Sequence, residues 1–251
     1  MDIIEIFGTK IYNITLEETL DKIREFINGE SLKVIFTPNT EIVMAAKDDN
    51  VLRDIINQGD LIVPDGIGLI YASRIKKKPL KERVTGYDIS MNMLNMADEN
   101  SYSLYLLGGK EGIAQIAKDK IEEKYKHIKV AGYHHGYFKG SHNGYTDHDE
   151  ENKIIDEINS KNPDIIFLGL GFPKQEIWID ANKSRLKGKV IIGNGGVIDV
   201  LSGNTKRAPE IFLKLNLEWF YRLIKEPSRI RRQMALPKFM FKVIFSKNVI
   251  K

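Results

Sequence analysis

Six short apolar runs recur along the chain, at residues 32–36, 61–63, 103–107, 128–132, 164–168 and 190–193. Most stop at a cluster of Gly, Pro, Asn or Asp, and helical patterns fill most of the intervals. Runs so short and so uniformly apolar read as strands buried on both faces rather than as helices or half-exposed strands. The intervening spacing predicts helices over 41–47, 51–57, 68–76, 86–100, 111–125 and 147–161. Strand–helix alternation of this kind specifies a Rossmann-like α/β fold, a mostly parallel sheet with helices on both faces. Ahead of it, residues 3–14 predict a hairpin turned at Gly8. Thr15-Leu16-Glu17-Glu18 then predicts a capping box, opening a helix that Gly29 ends.

In a parallel sheet every strand-end loop lies on one edge. That edge collects Thr37-Pro38-Asn39, Asp65-Gly66, Gly108-Gly109, the His134-His135 loop, residues 169–176 and Asn194-Gly195-Gly196. Rich in Gly and in uncharged hydrogen-bonding groups, such a rim suits a polar ligand carrying phosphates. Asp65 stands at a strand exit, where open α/β sheets place their chemistry. It is a candidate base or, equally in character for Asp, the cap of the next helix, with Gly66 and Gly68 turning the backbone. Arg83 supplies a fixed cation, and Asn39 and Gln175 supply amides.

Charge is unevenly spread. Residues 205–251 hold twelve Lys or Arg against three Glu, a net of +9, which leaves −5 on residues 1–204. The expected division is therefore a core over 1–204 and a basic, amphipathic helical appendage over 205–251 whose partner is anionic. A helix is predicted over 209–225 with Phe212, Leu215, Trp219 and Leu223 on one side. Pro237 then separates a last segment that mixes Phe239, Phe241 and Phe245 with lysines. That segment is expected to lie at an anionic membrane surface and to be removable without loss of fold; docking on the body or a dimer contact is the alternative.

Several classes are excluded or disfavoured. There is no cysteine, hence no disulfide or thiolate metal site. Neither a secretory signal nor an apolar stretch of spanning length is recognisable, which gives the expectation of a cytoplasmic protein. No segment matches a P-loop, a nucleophile elbow, or the fingerprint of a dinucleotide-dependent oxidoreductase just after the first strand. Asp147-His148-Asp149 resembles a metal-binding DxD motif but reads better as an acidic helix start, and His134-His135 lacks further ligands at metal spacing. The tail's aromatics alternate with aliphatics, which argues against nucleic acid as partner.

Taken in order, TPNTEIV (37–43), VPDGIG (63–68), ERVTG (82–86), LLGG (106–109), HHGYF (134–138), GLGFPKQE (169–176), GNGGVIDVLSG (193–203), RAPE (207–210) and LEWFYRLIKEPSR (217–229) resemble the WecG/TagA/CpsF family of glycosyltransferases. The resemblance covers almost the whole chain. It implies inverting transfer of N-acetylmannosamine from UDP-ManNAc to the C4 hydroxyl of GlcNAc on undecaprenyl diphosphate, without a cofactor or an obligatory metal. Other UDP-sugar donors, such as UDP-ManNAcA or UDP-glucose, and an anionic-polymer-binding role for the tail are the alternatives. By the same resemblance Asp65 is the general base, Thr37, Asn39 and Gln175 line the pocket, and Arg222, Arg229 and Arg232 close over the donor. An enzyme peripheral to the inner face of the cell membrane is expected, and a homo-oligomer is compatible with the reading.

Overall fold

All six apolar runs become strands of one parallel sheet, because only there can residues without polar alternation bury both faces. In the computed structural model, which describes residues 2–246 and 249–251, the chain opens with the hairpin of β1 (Ile3–Ile6) and β2 (Thr9–Tyr12). The core follows as α1 (Leu16–Ile27), β3 (Lys33–Phe36), α2 (Thr40–Asp48), α3 (Asn50–Asn57), β4 (Leu61–Ile62), α4 (Ile67–Ile75), α5 (Gly86–Asn100), β5 (Ser103–Gly108) and α6 (Ile113–Lys124). It continues as β6 (Lys129–His134), α7 (Asp149–Lys161), β7 (Ile165–Gly169), α8 (Lys174–Asn182), β8 (Val190–Gly193) and α9 (Val197–Leu201). The tail adds α10 (Glu210–Lys214), α11 (Glu218–Lys225), α12 (Ile230–Gln233) and α13 (Ala235–Phe245).

The sheet runs β4-β3-β8-β7-β5-β6, with every pair parallel. Alternate residues face opposite ways: Tyr105, Leu107, Ile166 and Leu168 meet α2, α3, α4, α7, α8 and the hairpin, whereas Leu104, Leu106, Ile165 and Phe167 meet α1, α5, α6 and α9. The chain leaves β5 through α6 on the second face and leaves its neighbour β7 through α8 on the first. Loops that diverge in this way open a crevice, the usual ligand site of such sheets. Gly108 lies there at φ 152°, and a Cβ on it would stand 2.6 Å from the Gly169 carbonyl oxygen. Only glycine lets the two exits approach so closely.

Gly66 and Gly68 differ from their reading as turn residues. Gly66 has φ −78° and is the N-cap of α4, and Gly68 is helical. What Gly68 provides is room: a Cβ there would lie 2.5 Å from Thr40 Cγ2 and 2.7 Å from Leu236 Cδ1. It lets α13 settle against α2 and α4.

The tail departs from expectation in three ways. The predicted helix over 209–225 is broken at Asn216, which adopts φ 58°. Leu217 N–H donates to Phe212 O at 2.7 Å and Asn216 N–H to Leu213 O at 3.0 Å, closing α10 in a Schellman pattern. Asn tolerates the left-handed region, so it ends a helix that periodicity alone would continue. Pro237, expected to separate a final segment, instead sits in the first turn of α13, where its missing N–H costs nothing. Finally, that segment docks on the body, the alternative to a free surface anchor: Phe239 and Val243 are fully buried in the main core, and Phe239 meets Phe7 edge-on at 5.6 Å. The last residues extend the hairpin, with Lys251 N–H and O bonding Glu5 O and N–H at 3.0 Å and Phe7 N–H bonding Val249 O at 2.9 Å. A two-stranded hairpin is marginal alone, and the tail stabilises it.

Candidate active site

β4 is short because Pro64 has no N–H for the ladder, and Asp65 follows just outside. Asp65 N–H donates to Pro38 O at 3.1 Å and Val84 N–H to Pro64 O at 2.9 Å, so the exits of β3 and β4 and the loop before α5 are sewn together. Asp65 does not cap α4, whose N-cap Gly66 offers no side chain. Its Oδ2 accepts instead from Gly86 N–H at 3.3 Å, at the start of α5. Arg83 Nε donates to the Asp65 carbonyl at 2.6 Å, and its Nη2 stands 3.6 Å from Asp65 Oδ1. Thr37 completes the corner, its hydroxyl 3.0 Å from where a Cβ on Gly86 would be. Burial pushes the Asp65 carboxyl above the usual range; Arg83 opposes this, Glu218 adds to it, and the net shift is upward.

Glu218, on α11, ties the tail to this corner. Its Oε2 accepts from Arg83 Nη2 at 3.1 Å and its Oε1 from Arg222 Nη2 at 2.5 Å. Burial raises its affinity for a proton, but Arg222 and Arg83 outweigh burial and hold the carboxyl below its ordinary value. A relay of alternating charge therefore runs Asp65–Arg83–Glu218–Arg222 from the sheet edge into the tail. Upstream, Arg207 lies 4.0 Å from the Tyr87 ring centre and bonds Asp88 Oδ1 at 2.7 Å, pinning the start of the tail to the first turn of α5.

The other rim groups follow along the edge. Asn39 is the N-cap of α2, its Oδ1 accepting from Glu41 and Ile42 N–H at 2.9 and 3.1 Å, which leaves the amide N–H groups for a ligand. Gln175 is buried and braces two loops, donating to Glu176 Oε1 at 3.0 Å and accepting from Gly195 N–H at 3.1 Å. Asn194 is also buried; its Nδ2 bonds Ser90 Oγ at 3.1 Å, and its Oδ1 has no partner among the described residues. Gly109 N–H reaches Gly169 O at 3.4 Å across the crevice and Gly109 O accepts from Gly136 N–H at 2.8 Å. Arg232 bonds Glu41 Oε1 through Nε at 2.7 Å. Arg229 belongs to the 3-10 turn Pro227–Arg229, and its side chain lies outside the described residues.

The family model for the glycosyl transferase WecG/TagA/CpsF family matches residues 4–250. The chain belongs to this family. Over 250 residues it is 36% identical to a Staphylococcus aureus (strain MRSA252) protein named N-acetylglucosaminyldiphosphoundecaprenol N-acetyl-beta-D-mannosaminyltransferase, covering 99% of this chain and 94% of the relative. A protein of the same name from S. aureus strain MW2 is 35% identical over the same span.

In this WecG/TagA/CpsF glycosyltransferase the remaining sequence candidates lie elsewhere. Asp147 is not the start of α7: it has φ 54°, its Oδ1 accepts from Asn152 Nδ2 at 2.9 Å, and His148 is the N-cap. Among the described residues no three or more His, Asp or Glu converge as metal ligands would. His134 ends β6 at the opposite sheet edge from Asp65, where with His135, Phe138, Glu150, Lys153 and Glu157 it lines a groove of about 300 Å³.

Two acidic residues of the rim escaped the sequence reading. Glu218 carried a signal, its spacing of four from Arg222 on an amphipathic helix, but its second partner, Arg83, is 135 positions away. Glu176 carried none beyond its place beside Gln175; burial pushes its carboxyl up to about 7.

Proposed function

We propose that the chain transfers N-acetylmannosamine from UDP-N-acetylmannosamine to the C4 hydroxyl of N-acetylglucosamine on undecaprenyl diphosphate, with inversion. The relatives' names supply the sugar and the lipid acceptor. The observation that carries the reaction type is the partly buried Asp65 carboxyl, its proton affinity raised by burial, beside the fixed Arg83 guanidinium. An inverting transfer needs one base and a stabilised leaving group. The Asp65 carboxylate takes the proton of the acceptor O4–H as the O4–C1 bond forms. On the opposite side of the anomeric carbon the bond to UDP breaks, and its electron pair leaves on the diphosphate. Arg83 and Arg222 face that charge, and Arg229 and Arg232 complete the closure from the tail. Thr37 and Asn39 hold the sugars, Gly108, Gly109 and Asn194 meet the nucleotide, and Gln175 fixes the loop beside it.

The fixed guanidiniums are the cations of this reading, so it needs no metal. Transfer is expected to survive excess EDTA; loss of transfer restored by Mn2+ or Mg2+ would overturn this part. The acceptor is a membrane lipid, and the enzyme works peripherally at the inner face. No described helix is long and apolar enough to cross a membrane. The outward side of α13, with exposed Phe241, Ile244 and Phe245 beside Lys238 and Lys242, suits an anionic lipid surface.

The test is a panel of UDP-sugars against a short-chain lipid-diphosphate GlcNAc acceptor, with the product linkage determined by NMR. A β-linked ManNAc on O4 is the expected product. Preference for another UDP-sugar would replace the donor, and failure of every UDP-sugar would overturn the reading.

A further inference from the structure

α11 is held to the body in an unusual way: of its residues only Glu218 is buried. Its aromatic and aliphatic side chains stay partly or fully exposed, so apolar burial contributes little to its docking. What docks it is the carboxylate, 11% exposed, on the Arg83 guanidinium at 3.1 Å, while Arg222 of the same helix bonds its other oxygen at 2.5 Å. Withdrawing a carboxylate from water is costly, and an ion pair gives weak net support compared with apolar packing of the same volume. Such a latch is specific in geometry yet displaceable.

Two guanidiniums converging on one carboxylate form a seat for an anion. The seat adjoins the proposed base, since the same Arg83 Nη2 that meets Glu218 stands 3.6 Å from Asp65 Oδ1. A diphosphate has more charge and more acceptor oxygens than a carboxylate and would outcompete it there. Arg222 is 45% exposed, so the seat is reached from the solvent side.

We infer that Glu218 is a resident stand-in for the donor's diphosphate: it holds Arg83 and Arg222 in place in the unliganded protein and yields them when the donor binds, its side chain turning out of the seat while Arg222 stays on α11. This rests on the glycosyl-transfer reading above. Glu218 is thus a positioning residue that also competes with the donor, a role with an unusual signature. Removing a structural ion pair weakens a ligand site, whereas removing an internal competitor tightens it.

The test is calorimetric titration of the full-length protein with UDP. Glu218→Gln is expected to bind UDP roughly tenfold more tightly than the wild type, because the fraction of open seats rises. Glu218→Asp, which withdraws the carboxylate by one methylene but keeps its charge, is expected to tighten binding by a smaller factor, and it decides the matter if the Gln variant does not fold. Unchanged or weaker UDP binding in the folded variants, with the wild type binding normally, overturns the stand-in and leaves the donor reading intact. A folded wild type that binds neither UDP nor any UDP-sugar overturns both.

Discussion

The two ends of the strand-exit rim contrast sharply. At the β6 end lies a hollow of about 300 Å³, lined by two histidines, a lysine and two glutamates. Its hydrogen bonds are local: His134 Nδ1 pairs with His135 O at 2.8 Å, Tyr137 N–H with His135 Nδ1 at 3.2 Å, and Lys139 N–H with Glu150 at 2.8 Å. At the β4 end, by contrast, Asp65, the 83–86 stretch and Glu218 come from well-separated parts of the chain and share partly buried charge. Volume follows from how loops happen to pack. Assembling partly buried charge from distant segments works against stability, so it marks chemistry better than size does.

The largest effect expected from breaking this contrast is at Asp65. Asp65→Asn keeps an acceptor for Gly86 N–H but removes the proposed base, and turnover should fall by roughly two to four orders of magnitude with UDP affinity kept. The paired change His134→Ala with His135→Ala, at the β6 end, should leave turnover close to wild type. Equal losses in the two proteins would dissolve the distinction between the ends. Stability separates base from structural support. Because the folded-state pKa of Asp65 is raised, its contribution to stability is present at low pH and lost as pH rises through the raised value. At neutral pH the Asn variant should therefore melt no lower than wild type, whereas activity should climb with pH through an ionisation above the ordinary carboxylate range.

The tail offers a smaller-scale contrast, between the two sides of α13. Phe239→Ala opens a cavity in the main core and should cost about 3–5 kcal/mol, lowering Tm by roughly 2–4 °C per kcal/mol in a chain of this size. Phe241→Ser with Phe245→Ser, on the exposed side, should leave Tm in place and reduce binding to anionic liposomes. A melting-temperature loss of the same size in both proteins would mean that the outer phenylalanines pack in solution.

This side-to-side difference also explains which parts were legible in the sequence. Six uniform apolar runs have only one good environment, so the sheet and its rim followed from residues such as 103–107 and 164–168 read alone. The capping box at Thr15 was equally local, and Glu18 N–H does bond Thr15 Oγ1 at 3.1 Å. In α13, however, Phe239 and Phe241 are equally apolar, and nothing nearby says that one meets Phe7 and the other faces water. The break at Asn216 depended on a left-handed residue that periodicity ignores. In the site, Asp65 was visible because a strand exit positions it. Its charge partners were only half visible: Arg83 stood out, whereas the Glu218 that joins it to the tail is a long-range contact, formed only once α11 has folded over the rim.

The smallest predicted effect tests buried charge within the rim itself. Glu176 is 2% exposed, its Oε1 accepts from Gln175 Nε2 at 3.0 Å, and its Oε2 has no partner among the described residues. Burial pushes the carboxyl from 4.5 up to about 7, with Gln175 and its own N–H opposing and Glu41 adding slightly. The folded protein therefore holds this proton more tightly than the unfolded chain does. Stability from the group is complete below pH 4.5 and declines as pH rises to about 7. Glu176→Gln keeps the acceptor for Gln175 and abolishes the titration, but it buries an amide N–H pair where Oε2 was, at a cost of about 1–3 kcal/mol. At pH 5, where wild-type Glu176 is largely neutral, the variant should melt lower than the wild type. At pH 8 the wild type carries the desolvated charge, and the deficit should shrink or reverse. Melting curves of both proteins at the two pH values decide it: a Tm difference that does not change with pH would mean that Glu176 stays ionised throughout, held by solvent reaching its second oxygen.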